Sequence, residues 1–474
     1  MKLLADVSPL RESPAFRRLW VGTTTSSVGS ALTRFAVMLQ VYDVTRSSFA
    51  VGAIGIAQLV PLLLIGLPGG SLADRVDRRK LVLICNCGTT LGAVALTVQA
   101  FAGSRSVWLL YVLVTIQASI SSVSVPARQT FVPRLLPKSK LQAGLALNRL
   151  SFQIMLIVGP ALAGVITAVP VLGLRGCYLI DTLSFAASFY GVLRMPAMPP
   201  DTKAKTRPGL RSVVQGVAYI GRTPVLAGAF LADLNATIFG LPIALFPAIN
   251  AERFGGDPRT LGLFTAAIGV GGLVSGVFSG PLKHLARQGL AMIAAVAIWG
   301  AAFAGFALAD SLWLTLTMLA VAGAADTFTV VLRGTIVQTT TPDELRGRVT
   351  AADFVVGGGG GQLGNVEAGA VASLTTPVIS ALSGGLATVA VAVIIAFALP
   401  AFTRYKYQPL PEREVVGLNS VTDLEQQGAG PAGGGMEERV EAGSAADTDG
   451  LGRLAVDGDA DLPRAAEHQV DVAG

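Results

Sequence analysis

Gly70-Ser71-Leu72-Ala73-Asp74-Arg75-Val76-Asp77-Arg78-Arg79-Lys80 places six charged residues among eleven, in a 474-residue chain that is 14% charged. On either side lie apolar runs, at 48–69 and 81–101. Each is long enough to cross a bilayer, which takes about 20 predominantly apolar residues. So short and polar a loop between two spans is either a topological anchor or part of a moving gate.

Working outward from this loop, apolar stretches recur near 16–42, 48–69, 81–101, 107–127, 146–169, 172–193, 224–249, 260–281, 290–308, 312–332, 350–374 and 377–399. The composition agrees: 52% of residues are hydrophobic, and the mean hydropathy is +0.60. The runs are continuous and lack the period-two alternation of a membrane barrel. Their frequent Gly and Pro suit membrane helices, where neighbours re-satisfy the backbone and small residues let helices approach closely. The fold expected is therefore all-α and integral to the membrane, with twelve transmembrane helices. The first run follows Arg17 and Arg18 without a cleavage pattern, so it reads as a span and not a removable leader. Cys85, Cys87 and Cys177 all fall within spans and read as packing residues. With only His284 and His468 in the chain, histidine-rich metal chemistry is not expected. No Gly-x-x-x-x-Gly-Lys-Ser/Thr occurs, which excludes a built-in P-loop ATPase. An enzyme would also need a clustered His/Asp/Ser constellation near one interface, and the sequence offers none.

Lysine and arginine placement sets the orientation. With the N-terminus in the cytoplasm, the cytoplasmic segments through residue 408 hold 25 Lys and Arg, against five outside: Arg46, Arg105, Arg175, Arg253 and Arg259. Both termini are expected in the cytoplasm. Residues 409–474 carry 14 acidic and four basic residues. They are rich in Gly, Ala, Asp and Glu, cannot build a core, and read as a disordered acidic tail. The basic remainder suits an anionic cytoplasmic leaflet and is no argument for nucleic acid.

The halves match at an offset of 210. Gly52, Ala57, Val60, Leu63, Gly66, Gly70 and Leu72 fall on Gly262, Ala267, Val270, Leu273, Gly276, Gly280 and Leu282, and Pro14 falls on Pro224. At an offset of 205, Arg128, Thr130, Val132 and Pro137 fall on Arg333, Thr335, Val337 and Pro342. An even number of spans per half makes the repeats parallel. The domains expected are a six-helix bundle at 1–194, a basic cytoplasmic linker at 195–222 with a short surface helix near 209–221, a second bundle at 223–408, and the tail. Such repeats rock about a midplane site in secondary transporters.

At this point the chain resembles the major facilitator superfamily. The opening loop fits its Gly-x-x-x-Asp-Arg/Lys-x-Gly-Arg/Lys-Arg/Lys signature between spans 2 and 3 through Gly70, Asp74, Arg75, Arg78 and Arg79, with Asp77 where Gly is usual. Pro126-Ala127-Arg128-Gln129, Tyr178-Leu179-Ile180-Asp181, Ala232-Asp233-Leu234-Asn235-Ala236 and the Gly-rich run leading to Glu367 look like the bacterial branch of enterobactin-type siderophore exporters and macrolide efflux proteins. The resemblance implies that Asp74 and its arginines hold the cytoplasmic side shut against span 11. The second half has Gly280-Pro281-Leu282-Lys283-His284 instead; it keeps basic residues but has no acid at the position of Asp74. Two drug-antiporter patterns are only approximated: Val114 stands where an Arg would precede Gln117-Ala118, and Gly159-Pro160-Ala161-Leu162-Ala163-Gly164 replaces Gly-Pro-x-x-Gly-Gly. Gly159-Pro160 would loosen span 5 by removing a backbone bond, or simply kink it for packing.

Ionisable residues inside spans are costly and default to functional candidates. Arg34 lies deep in span 1, Asp181 in span 6, Asp233 in span 7, Asp326 in span 10 and Glu367 in span 11. Arg149 and Asp353 lie nearer the cytoplasmic interface, where long side chains snorkel. The resemblance places spans 1, 7, 10 and 11 around the cavity. Burial disfavours a carboxylate's charged form, so such a group can exchange a proton near neutral pH. Asp233, Asp326 and Glu367 are the proton-coupling candidates, and Arg34 would pair with one of them or hold an anionic substrate. A fixed ion pair locking helices is the alternative. Asp181 reads as structural. The run Gly357–Gly361, with Gly359 at its centre, serves either close packing on span 2 or bending.

The function expected is secondary active export of an amphipathic or hydrophobic small molecule (a drug, macrolide or siderophore-like compound) by alternating access in the bacterial cytoplasmic membrane. No cofactor is expected; a proton gradient drives antiport. The partners expected are the small-molecule substrate and the lipid bilayer, with the monomer as the working unit. An importer on the same fold, or a non-transporting sensor with an acidic signalling tail, is the alternative.

Overall fold

The computed structural model describes residues 6–66, 76–198, 210–278, 280 and 285–406. Gly70, Asp74, Arg75, Lys283, His284 and the tail at 409–474 lie outside the described residues. Among the described residues there are twelve long helical segments and no strands. They are α1 (Pro14–Thr45), α2 (Ser48–Gly66), α3 (Arg78–Phe101), α4 (Val107–Leu135), α5 (Lys138–Ala168), α6 (Gly173–Leu193), α7 (Pro224–Arg253), α8 (Pro258–Val277), α9 (Gln288–Leu308), α10 (Leu312–Thr340), α11 (Asp343–Leu374) and α12 (Pro377–Ala398). A further helix, Leu210–Arg222, packs on α11.

Ten of the twelve are apolar enough on their own to cross a membrane; α1 and α11 are not. α1 carries Thr23, Thr24, Thr25, Ser26, Ser27 and Ser30, and α11 carries charges and five successive glycines. Both are extensively covered by protein: α1 lies against α5 and α6, and α11 lies against α2 and α7. Helix starts are set by local chemistry. Ser13, Ser47, Ser106, Ser311 and Thr376 each accept a hydrogen bond from a backbone N–H three residues on, satisfying a donor that the helix leaves orphaned. Asp77, at the place where the signature has Gly, caps α3 by accepting from the backbone N–H groups of Arg79 at 2.9 Å and Lys80 at 3.2 Å. Replacing Asp77 by Ala should cost about 1 kcal/mol, seen as a lowered thermal midpoint, while Asp77→Ser should restore most of it.

Several helices differ from the spans expected. α4, α10 and α11 each run seven or eight residues further at the end where α1 begins and α12 ends, which we call the terminal face. α7 breaks after Phe239 and resumes at Phe246 through a tight turn, Ile243–Leu245. Trp299 fills the break, donating its indole N–H to the Ala236 carbonyl at 3.1 Å. A Cβ on Gly240 would collide with the same indole nitrogen. Beyond the break, Phe246 packs on Phe264 and Phe306, with ring centroids 5.7 and 5.4 Å away.

The first and last six helices meet along two seams, α2 with α11 and α5 with α8. Glycines make both seams close. A Cβ on Gly369 would lie 2.7 Å from the Ser48 carbonyl oxygen, and one on Gly262 would lie 2.5 Å from that of Pro160. The contacts run from the face opposite the termini inward, to Leu62 beside Gly358 on one seam and Gln153 near Gly272 on the other. Past Gln153 the second seam gives way to a cavity towards the terminal face.

Candidate functional site

Arg333 organises the largest charged cluster among the described residues. It sits seven residues before the end of α10, roughly 10 Å in from the terminal face at 1.5 Å per residue. Its Nη1 contacts Asp233 Oδ2 of α7 at 2.9 Å and Asp353 Oδ1 of α11 at 2.8 Å. Arg333 and Asp233 are nearly buried, with side chains 12% and 7% exposed, whereas Asp353 is 37% exposed. The guanidinium also lies 5.9 Å from the centroid of the Phe230 ring. Gly357 leaves room on the α11 side, since a Cβ there would lie 3.8 Å from both Nη atoms. One cation thus joins three helices through two carboxylates. Arg333 balances the buried Asp233, and the second carboxylate, Asp353, is tolerated because it reaches water.

Asp326 lies midway along α10, two turns from Arg333 and within electrostatic reach of Asp233, Arg333 and Arg149. Arg149, of α5, is exposed and borders the cavity of about 280 Å³ between α5 and α10. Gly276 of α8 also lines it, and Thr327, Val331, Thr335 and Gln338 of α10 form the wall facing Arg149. The chamber is therefore both polar and apolar, with a free-facing cation at one edge and carboxylates behind the other.

The remaining candidates fall elsewhere. Glu367 is on α11, roughly 21 Å along the axis from Asp353, and is half-buried; it does not join the Arg333 cluster. Arg34 is exposed and donates to Met155 Sδ of α5 at 3.2 Å. Asp181 is buried between α1 and α6, where Oδ2 accepts from Thr33 at 2.6 Å and Oδ1 from Ser30 at 3.5 Å. Gly159 packs on Ala31 of α1, and Pro160 offers its carbonyl to Gly262, so both lie in helix contacts of an unbroken α5. Gly359 and Gly358 meet Leu59 and Leu62 of α2, and Gly360 and Gly361 meet Thr237 and Leu241 of α7. α11 remains helical throughout the run. Of the loop between α2 and α3, Arg79 donates to the Leu193 carbonyl at 2.7 Å, and the Arg78 amide donates to Met198 at 3.2 Å. Both contacts are to the chain leaving α6.

Arg333 escapes the sequence reading of charges within spans, because the apolar run of span 10 ends at residue 332. The repeat held the signal. Arg333 is the counterpart of Arg128, which also lies inside a helix, α4, and bonds across to Asn86 Oδ1 of α3.

Twelve membrane-length helices enclosing a charged cluster and cavity define a transporter of the major facilitator type. The chain belongs to the transmembrane secretion effector family, which it matches over residues 4–431. It is 26% identical over 407 residues to the enterobactin exporter EntS of Shigella boydii serotype 18 and to that of Escherichia coli O139:H28, covering 86% of this chain and 97% of each relative. Solved structures of similar fold include a POT family transporter in complex with 5-aminolevulinic acid, with a TM-score of 0.66 at 12% identity over 82% of this chain and 97% of that one. A bacterial homologue of the iron transporter ferroportin in an inward-facing state gives a TM-score of 0.61 at 17% identity over 83% and 99% of the two chains. At such identities the likeness is one of fold. The family places the chain among transporters, not enzymes.

Proposed function

We propose that this protein is a secondary exporter that moves an amphipathic, siderophore-like small molecule out of a bacterial cell in exchange for protons. The observation that carries the reading is the Asp233–Arg333–Asp353 cluster, whose Arg333 is the chain neighbour of the cavity-lining Gly334, with Asp326 in electrostatic reach. A carboxylate paired with a cation that joins three helices can release that partner when it takes up a proton, and helices tied by ion pairs then have two arrangements instead of one. In this scheme two six-helix halves, 1–194 and 223–408, rock about the cavity in the cytoplasmic membrane with both termini in the cytoplasm. The loop carrying Gly70, Asp74, Arg75, Arg78 and Arg79 closes the cytoplasmic side. The enterobactin exporters at 26% identity support the substrate class.

The test is transport in proteoliposomes that hold the full-length protein, with enterobactin as the probe. An imposed pH difference should drive enterobactin uphill, against the direction of proton flow. If a pH difference of either sign leaves enterobactin evenly distributed, proton-driven export of this class is wrong.

A further inference from the structure

Two cations of the first six helices lie outside the Asp233–Arg333–Asp353 ion pairs, although Asp326 acts on one of them, Arg149, electrostatically. Arg34 stands well inside α1, about 30 Å from its start, yet its side chain is exposed. Its hydrogen bond is to the Met155 thioether, a weak acceptor that carries no charge. Asp181 acts on it electrostatically, but that carboxylate is buried between α1 and α6 and engaged by Thr33 and Ser30. Arg149 lies on α5, the helix that also carries Met155, six residues and about 9 Å along the axis nearer the terminal face. It borders the cavity, and no hydrogen bond or ion pair joins it to another described residue.

The facing α10 wall is itself uncharged, but the groups behind it carry the opposite sign. Asp233 and Asp353 are committed to Arg333, and Asp326 adds a further carboxylate. Val330 and Val331 give the same wall apolar surface beside Thr327 and Gln338. A solute with an acidic group would be repelled by the α10 side and attracted to the α1 and α5 side. Guanidinium recognises planar oxyanions through paired, charge-assisted hydrogen bonds. Away from bulk water such attraction is stronger than at an open surface.

From this polarity we infer that Arg34 and Arg149 form an oxyanion-recognition wall, and that the transported molecule is an anionic amphiphile whose acidic group docks on the α1–α5 side. The inference rests on the transporter reading above but not on proton coupling. Two cations at different depths would hand the anion along the pathway, with Arg149 met first from the terminal face and Arg34 deeper.

Equilibrium binding in lipid nanodiscs tests it, with the full-length protein at one fixed pH and no gradient. The probes are dansylglycine and dansylglycinamide, which share an apolar body and differ in carboxylate against carboxamide. The wild type should bind the carboxylate about tenfold or more tightly than the amide. That ratio should fall severalfold in Arg34→Gln and in Arg149→Gln, and approach one in the double variant. Arg34→Lys and Arg149→Lys keep the charge but lose the paired hydrogen bonds, so each should retain more of the ratio than its Gln counterpart, which separates recognition from misfolding. Equal binding of the two probes by the wild type, no binding of either, or an undiminished ratio in the double variant overturns the inference. Failure of uphill transport with an intact carboxylate preference would sink proton-driven export and leave this inference standing.

Discussion

Asp326→Asn is expected to abolish gradient-driven accumulation while leaving downhill exchange of substrate close to the wild-type rate. Asp326 sits midway along α10, within electrostatic reach of Arg333 and Asp233 and of the cavity-lining Arg149. Its charge therefore bears on both walls at once. Protonation would release Arg149 from an attractive partner and relieve repulsion on Asp233, so the two charge states favour different spacings of α5 and α10. A neutral amide of the same shape freezes that choice. One pH unit corresponds to 1.36 kcal/mol, enough to hold roughly a tenfold substrate gradient at one proton per molecule. In the variant this ratio should collapse to about one. Counterflow of labelled against unlabelled substrate needs no proton and should persist. Uphill transport by Asp326→Asn at the wild-type ratio would remove Asp326 from the coupling step and turn attention to Asp233 and Glu367.

The contrast between Asp326 and Arg333 shows what could be read from the chain alone. Asp326 lies in the middle of an apolar run, so its cost inside a membrane is plain from sequence. Arg333 lies just past the end of its run, where a hydropathy reading stops at the first strong charge, whereas Asp353 falls inside its run, near the start. α10 continues to Thr340 and α11 begins at Asp343; these turns lie at the terminal face, with Asp343, Glu344, Arg346 and Arg348 exposed, and need no lipid-facing hydropathy. The pairing of Arg333 with Asp233 spans 100 residues of sequence, and no local pattern announces it. The five glycines read equally as a close-packing element or a bending one; the structure shows them packed against both α2 and α7. The break in α7 had a cue in Gly240 and Pro242. Its occupant, Trp299, comes from α9 and could not be read locally.

Arg333→Gln is expected to be the most damaging single exchange in the cluster. It strands Asp233, whose side chain is 7% exposed, and loosens Asp353, which at 37% exposure can turn to water. Removing one partner of a buried pair typically costs about 3–5 kcal/mol, and the screened contact to Asp353 adds little. The thermal midpoint in nanodiscs should drop well below that of Asp77→Ala, and transport should be lost. Neutralising the stranded acid as well, in Asp233→Asn/Arg333→Gln, should recover much of the stability without restoring transport, since the penalty is an unmatched charge and not a missing contact. Arg333→Lys should fall between these extremes. Both carboxylates meet the same nitrogen, Nη1, so the guanidinium fork is not used in its bidentate manner and an ammonium can substitute as a point charge. A double variant no more stable than Arg333→Gln would mean that Asp233 is not held charged by Arg333, and a locked structural tie would replace the switching one.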